Sequence, residues 1–449
     1  MSNYSFYISA DGSPGLYSND FGDIYHSVKG ALTESIEKFV YPINFDMLLR
    51  YDEIKILDIC YGIGYNTKSF LNFLKNNQKK FLKIKNSHAS CSEPIHTDKI
   101  LANNSDTNIG TIYTDKNFKN DSQESIESVY TNNIKSNHLH AQNKNFDKLF
   151  SSIYIKALDN DDILPYLSPL LKSKVKNNIE KYNLPDKSLE KYFKYKNMAK
   201  IKINDEINYL LLTKLVNSVK NSPNADKILQ IAAKNQDIFD KSFIGLFKSL
   251  LYYPEYKSSL RPFISNLHNI YYRYISNRYK KAVKDLKIGD ISLDLEIDDA
   301  RTSVLRDNNT YNLIFLDAFS PSKCPCLWSY EFFNELFRIL DTNGMIITYS
   351  TSALVRSAMR EAGFFIGNSI NTSGDVVGTV AVKNKSLIKF DLSEADLGLL
   401  NTRAGIFYRD KNLNGQNEAI INAHNEEVKS SDRMSTTCYL KEVKRRNNV

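Results

Sequence analysis

The stretch "IFLDAFSPSKCPCLWSYEFF" concentrates the residues most able to do chemistry in this chain of 449 residues. An apolar run ends in Asp317, and Phe319, Pro321, Pro325 and the chain's single tryptophan, Trp328, follow in the loop. A strand-end carboxylate set in an aromatic, proline-stiffened loop costs desolvation energy unless it has a task. Such an acid can accept a hydrogen bond from an amine, or take its proton, while the amine attacks a methyl group. Helix capping explains Asp317 poorly, because the helix expected over "YEFFNELF" begins well beyond it.

Two shorter stretches offer places for a ligand. In "ILDICYGIGYN", Asp58 lies near the carboxyl end of an expected strand, where ligands bind in open α/β sheets. Gly62 and Gly64 let the backbone approach a ligand closely. Thr67 stands where a G-x-G-x-x-G fingerprint needs Gly or Ala, which disfavours a diphosphate cofactor and leaves a smaller nucleoside. A structural tight turn accounts for the stretch equally well. In "LEIDDARTSVL", Asp299 can accept a hydrogen bond from an adenine amino group or simply cap the next helix. The N-terminal "DGSPGLYSNDFGDIYHSVKGALTE" gathers Tyr25, His26, Ser27 and Glu34; a hairpin followed by a helix start explains that content without function.

The elements that must position these residues read as a doubly wound α/β domain. An N-terminal hairpin and an amphipathic helix occupy 1–50, and "KILDICY", its glycine turn and the helix "TKSFLNFLKNN" occupy 51–84. From residue 85 the chain becomes rich in Asn, Lys, Ser and Asp, so no packed core is expected over 85–150. Residues 151–220 regain order, with helical spacing in "INDEINYLLLTKLVNSVK", and 85–227 as a whole is expected to be a partly disordered insertion. The domain resumes over 228–385, with "KILQIAAKN" expected as the second strand, followed by "ISLDLEI", "YNLIFLD", "MIITYS", "FFIGNSI" and "GTVAVKN". A helix over "YEFFNELFRILDTNG" is expected to close on Gly344, and 386–449 reads as a polar tail.

Composition narrows the classes further. The chain is 42% hydrophobic, has no apolar run of the roughly 18 residues a membrane span needs, and starts without a secretory layout. A cytoplasmic protein with no membrane partner is therefore expected. Five scattered cysteines argue against a disulfide framework, and neither the lone Cys324-x-Cys326 pair nor the seven histidines has metal-site spacing, so no metal is implied. A net charge of +8 suits an RNA partner and equally suits a Lys-rich composition with none.

Taken in order, "DGSPGLYSNDFGDIYHSVKGA", "LDICYGIGYNT", "DDAR", "IFLDAFSPSKCPCLW", "LVRSAMREAGF", "GTVAV" and "TRAGIFYRD" resemble the MnmC-like methyltransferases over residues 5–84 and 228–435. The resemblance implies a Rossmann-like seven-stranded fold, S-adenosylmethionine as cofactor, and methylation of the aminomethyl group on the wobble uridine of tRNA. It also implies a functional link to the enzymes that install that group. By the same resemblance Asp317 is the catalytic acid, and Asp58, Gly62, Gly64 and Asn66 form the cofactor turn. Asp299 and Ala300 meet the adenine, while Ser27, Gly30 and Glu34 close over a substrate pocket shared with Phe319, Pro321 and Trp328. The expected ribose-binding acid is missing, because "ILQIAAKNQD" puts Lys234 there, with Asp237 as a substitute three residues on. Two other readings follow: an impaired RNA-binding or scaffold protein on this fold, and a methyltransferase of small-molecule amines. No FAD-dependent oxidase half is expected.

Overall fold

The computed structural model describes residues 4–19, 22–89, 146–173, 202–220, 222–252 and 263–447. A seven-stranded sheet forms its centre: β4 (Glu53–Ile59), β5 (Ser152–Asp159), β6 (Asp290–Ile297), β7 (Tyr311–Leu316), β8 (Leu340–Thr348), β9 (Phe365–Ile370) and β10 (Val376–Val382), in the spatial order β6-β5-β4-β7-β8-β10-β9. The first five run parallel, and β10 is antiparallel to both β8 and β9. β7 is buried along its whole length, as a mostly apolar central strand covered on both faces requires, and its one side-chain amide, Asn312, accepts from Lys55 N at 2.8 Å. Edge strand β6 instead alternates and carries Asp290, Asp294 and Glu296. The strand order reverses between β4 and β7, where an open parallel sheet leaves a crevice at its carboxyl edge. This is the Rossmann-like architecture expected.

One strand differs from the expectation. "KILQIAAKN" is helical: residues Asn224–Lys234 bury Ala225, Ile228, Leu229, Ile231 and Ala232, a three-to-four residue spacing that lines one helix face. The strand beside β4 is "SIYIKALD", in register from Glu53 opposite Ser152 to Ile59 opposite Leu158. It lies inside the span expected as an insertion, and it ends in an acid, Asp159. Lys234 is exposed at the end of its helix, and Asp237 sits in the exposed turn beyond. Residues 205–219 form a helix, as the spacing of "INDEINYLLLTKLVNSVK" predicts, and it buries Ile207, Leu211, Leu212 and Leu215 in the main core. The low-complexity stretch expected over 85–150 lies, for 90–145, outside the described residues. A second correction concerns Gly344, which is within β8 rather than a helix cap. The helix ends at Ile339, and a Cβ at Gly344 would lie 2.8 Å from the Tyr311 carbonyl of β7, so the strand needs glycine there.

The N-terminus forms a three-stranded antiparallel sheet, β1 (Tyr4–Ile8), β2 (Pro14–Ser18) and β3 (Asp23–Ile24), followed by α1 (Ala31–Ser35) continued by a π-helical turn to Val40. Buried Asp11 joins the two parts. Its Oδ1 accepts from Ser9 Oγ at 2.8 Å and Ser13 N at 2.9 Å, and its Oδ2 accepts from Thr33 N at 2.9 Å. Gly30 permits this approach, since a Cβ there would lie 2.3 Å from Asp11 Oδ2. The clamp sets the segment 22–28 over the carboxyl edge of the sheet.

Candidate active site

At that edge a cavity of about 720 Å³ opens between the N-terminal segment, the ends of β4 to β8, and residues 415–417. Parallel pairing brings the strand ends together: Ile59 lies beside Leu316 and Leu158, and Asp159 beside Ile297. The next residues in each strand therefore face one space. Cys60, Asp159, Asp298, Asp299 and Asp317 all line it.

Asp317 leaves β7 with its N–H donating to Ile59 O at 3.3 Å. Its Oδ2 accepts from Asn66 Nδ2 at 2.9 Å, and Asn66 Oδ1 in turn accepts from Ser35 Oγ at 2.9 Å. Burial pushes the Asp317 carboxyl up to about 7; the Asn66 hydrogen bond opposes this, Glu34 adds to it and Lys38 opposes it. Across the cavity, Glu34 Oε2 accepts from Ser27 N and its Oε1 pairs with Lys38 Nζ, both at 2.5 Å. Lys38 Nζ also lies 5.4 Å from the centre of the Tyr349 ring, and Tyr349 Oη donates to Ala318 O at 2.8 Å. Tyr25 meets Phe319 edge-on at 4.9 Å. His26 lines the same wall and is held neutral, because burial lowers it to about 4.

The glycine turn works mainly through its backbone. Gly62 has φ +53°, and its N–H donates to Asp159 Oδ2 at 2.5 Å. Gly64 has φ +70°, and a Cβ there would lie 2.5 Å from the Tyr61 ring and 2.8 Å from Ser168 Oγ. Asp159 also accepts from Asp161 N at 2.9 Å. Burial raises its carboxyl and these N–H groups oppose the rise. Asp58 is wholly buried beneath the turn. It accepts from Thr67 Oγ1 at 2.6 Å, leaves Oδ1 unpartnered, and is pushed up to about 8 by burial.

At the other end, Asp299 caps the helix Ala300–Arg306 by accepting from Arg301 N at 2.9 Å. Arg301 pairs with Asp299 at 2.6 Å and with buried Asp410 at 2.7 Å, and donates to Gly415 O at 2.9 Å. This fastens residues 415–417, from the expected polar tail, onto the cavity. Leu158, Ala300 and Leu327 give that end an apolar lining.

Of the residues singled out in the sequence, Asp317, Asp299, Ala300, Ser27, Glu34 and Phe319 line the cavity together. Asn66 reaches it only by holding Asp317, while Asp58, Gly62, Gly64 and Gly30 shape the surrounding backbone. Trp328 is fully buried and donates to Phe319 O at 2.8 Å, so it supports the loop rather than facing the cavity. Pro321 lies in the half-exposed turn of that loop, and Asp237 lies away from the cavity. Asp159, Lys38, Tyr349 and the loop 415–417 went unrecognised. The acid ending "SIYIKALD" was the available signal for Asp159.

The lining carries six acids (Asp23, Glu34, Asp159, Asp298, Asp299, Asp317) against two cations (Lys38, Arg301), within a chain of net charge +8. Such a cleft favours cationic groups. Its size and lining fit S-adenosylmethionine: an apolar end beside Asp299, a buried acid at the end of the second strand, and an acidic end for a sulfonium.

Residues 262–384 match the sequence pattern of a family described as S-adenosyl-L-methionine-dependent methyltransferase. The chain is 30% identical over 131 residues to an uncharacterised protein of Methanocaldococcus jannaschii, which is 29% of this chain and 37% of that one. It is 37% identical over 76 residues to the tRNA 5-methylaminomethyl-2-thiouridine biosynthesis bifunctional protein MnmC of Ralstonia nicotianae, 17% of this chain and 12% of that protein. The similarity thus spans well under half the length of either relative. In three dimensions the chain is similar to MnmC2 from Aquifex aeolicus, with a TM-score of 0.50 and 18% identity over 96% of this chain and 87% of that one. At that identity the likeness concerns the fold. Among the described residues no helix is long and apolar enough to cross a membrane.

Proposed function

From a chain that carries an MnmC-like, S-adenosyl-L-methionine-dependent methyltransferase region, we propose an N-methyltransferase acting on the aminomethyl group of the modified wobble uridine of tRNA, yielding 5-methylaminomethyl-2-thiouridine. The observation that carries the proposal is Asp317, held by Asn66 at the carboxyl edge of the sheet and facing an acidic cleft.

Asp159 is the residue assigned to the ribose hydroxyls, in place of Asp237. Asp299 takes the adenine amino group, with Ala300, Leu158 and Leu327 against the ring. The bound cofactor supplies a methyl group made electrophilic by its sulfonium. The protein's part is to bring an amine to that methyl and to manage its proton. A free alkylamine resembles Lys, with a pKa of about 10.4, and reaches the cleft mostly as a cation. Glu34 and Asp317 receive that cation. Asp317, raised towards neutrality by burial, then accepts the proton so that the nitrogen lone pair is exposed. Tyr25, Phe319 and Tyr349 exclude water from the nitrogen.

The impaired-protein reading rested on Lys234 at the end of the second strand and on the long insertion; it loses the first of these, since that strand ends in Asp159. Nucleoside mass spectrometry of tRNA from a strain lacking the protein tests the proposal. Accumulated aminomethyl-uridine is expected; an unchanged content of methylaminomethyl-uridine would refute it.

A further inference from the structure

Two cysteines of the loop that follows β7 sit in the wall of the cleft with no part in the chemistry above. Cys324 Sγ and Cys326 Sγ are 3.7 Å apart, Cys324 half-buried and Cys326 buried, and both face the cavity. The backbone around them is fixed. Leu327 N donates to Cys324 O at 3.3 Å, Ser329 Oγ to Cys326 O at 3.0 Å, and the Trp328 indole to Phe319 O. With only Pro325 between them, closing a bond between the sulfurs costs almost no chain entropy. The Cys324 hydrogen bond, and after it the Arg301 guanidinium, hold the Cys326 thiol below the ordinary thiol range against the effect of burial. Cys60, on the same cavity, is pushed the other way by burial and stays a thiol.

We propose that Cys324 and Cys326 are a reversible oxidation site, joined as a disulfide by peroxide, and that this bond reshapes the cofactor end of the cleft and weakens cofactor binding. The Cys326 thiolate attacks one peroxide oxygen and the O–O bond breaks. The sulfur becomes a sulfenic acid, and the departing hydroxide takes the proton that the thiol had released. The Cys324 sulfur then attacks it, the S–O bond breaks, and the hydroxyl leaves as water with the Cys324 proton. Two thiols are oxidised to one disulfide while one peroxide is reduced to two waters. The sulfurs must close from 3.7 Å to about 2.05 Å. That movement displaces the wall next to Leu327 and Asp299, where the methyltransferase reading, on which the binding effect rests, puts the adenine.

Trypsin cutting after Lys323 and Arg338 leaves both sulfurs in one peptide, 324–338, with no other cysteine. After hydrogen peroxide the full-length protein should give this peptide short of two hydrogens and closed to iodoacetamide; after dithiothreitol it should accept two alkyl groups. Calorimetry with S-adenosylmethionine should show affinity about tenfold weaker in the oxidised protein and restored on reduction. Cys324→Ser and Cys326→Ser should each bind it equally before and after peroxide. A peptide still alkylated at both cysteines, or Cys326 linked to Cys60, overturns the site. A disulfide with unchanged affinity overturns its effect. Reduced protein that binds no S-adenosylmethionine defeats the cofactor reading and the binding effect, while the peptide mass still decides the dithiol.

Discussion

Asn66 Nδ2 donates a 2.9 Å hydrogen bond to Asp317 Oδ2, joining the first turn of the helix after β4 to the acid at the end of β7. Ser35 Oγ, donating to Asn66 Oδ1, holds the amide so that its nitrogen faces the acid. A hydrogen bond to a carboxylate favours the charged form, so Asn66 keeps Asp317 lower than burial alone would. Methyl transfer needs the carboxylate and should rise with pH through about 7. In Asn66→Ala the rise should move upward by about 1 pH unit, given roughly 1.5 kcal/mol for a hydrogen bond to a charged group. The pH dependence of kcat/KM reads this directly; an unmoved profile removes Asn66 from the proton's path.

Asp317→Ala should lower kcat by about 10² to 10⁴, the usual worth of a positioned acid or base. S-adenosylmethionine affinity, measured by calorimetry, should change little, because the residues proposed to hold the cofactor, Asp159 and Asp299, lie at or just beyond the ends of other strands. Retained turnover would show that the amine loses its proton elsewhere.

Asp159→Ala should weaken S-adenosylmethionine binding by about ten- to a hundredfold, corresponding to roughly 1.4 to 2.8 kcal/mol. Asp237→Ala and Lys234→Ala should leave it unchanged, since both residues are exposed and away from the cavity. The reverse ranking in a binding titration would remove Asp159 from the cofactor's ribose.

That strand marks where the sequence was hard to read. β4, β7 and β8 announce themselves because central parallel strands are apolar on both faces, and the loop Asp317–Trp328 is distinctive in its residue types. β5 sits between two stretches of biased composition, and Lys156 breaks its apolar run. In the fold Lys156 is paired with Asp307 and Glu296, each at 2.9 Å, a compensation invisible before the strands are placed. "KILQIAAKN" looked like a strand because short apolar runs fit either period, and only its one buried face decides for helix. The loop 415–417 could not be assigned to the site from sequence, since Arg301 and Asp410 meet across 109 residues.

Gly64→Ala forces a side chain onto φ +70° and against the Tyr61 ring, and should destabilise the protein by about 1–3 kcal/mol. Denaturant unfolding monitors this. An unchanged midpoint would mean that the turn tolerates a Cβ and that its glycine serves the ligand alone.

Asp58 gives a stability signature. Its carboxyl is raised to about 8 in the fold, above its ordinary 3.8, so the fold favours the protonated form. The stability it contributes is present below about 3.8 and is lost as pH rises through about 8. Asp58→Asn keeps an acceptor for Thr67 and cannot ionise. Its unfolding free energy should fall less than the wild type's between those limits; parallel curves would contradict the burial of a raised carboxyl there.

The most direct measurement is transfer itself. The full-length protein is incubated with methyl-labelled S-adenosylmethionine and tRNA bearing 5-aminomethyl-2-thiouridine, and the tRNA is then digested to nucleosides. Label in 5-methylaminomethyl-2-thiouridine, and none with Asp317→Ala, is the predicted result. Cofactor binding without label in that nucleoside, or equal label from the variant, would contradict it.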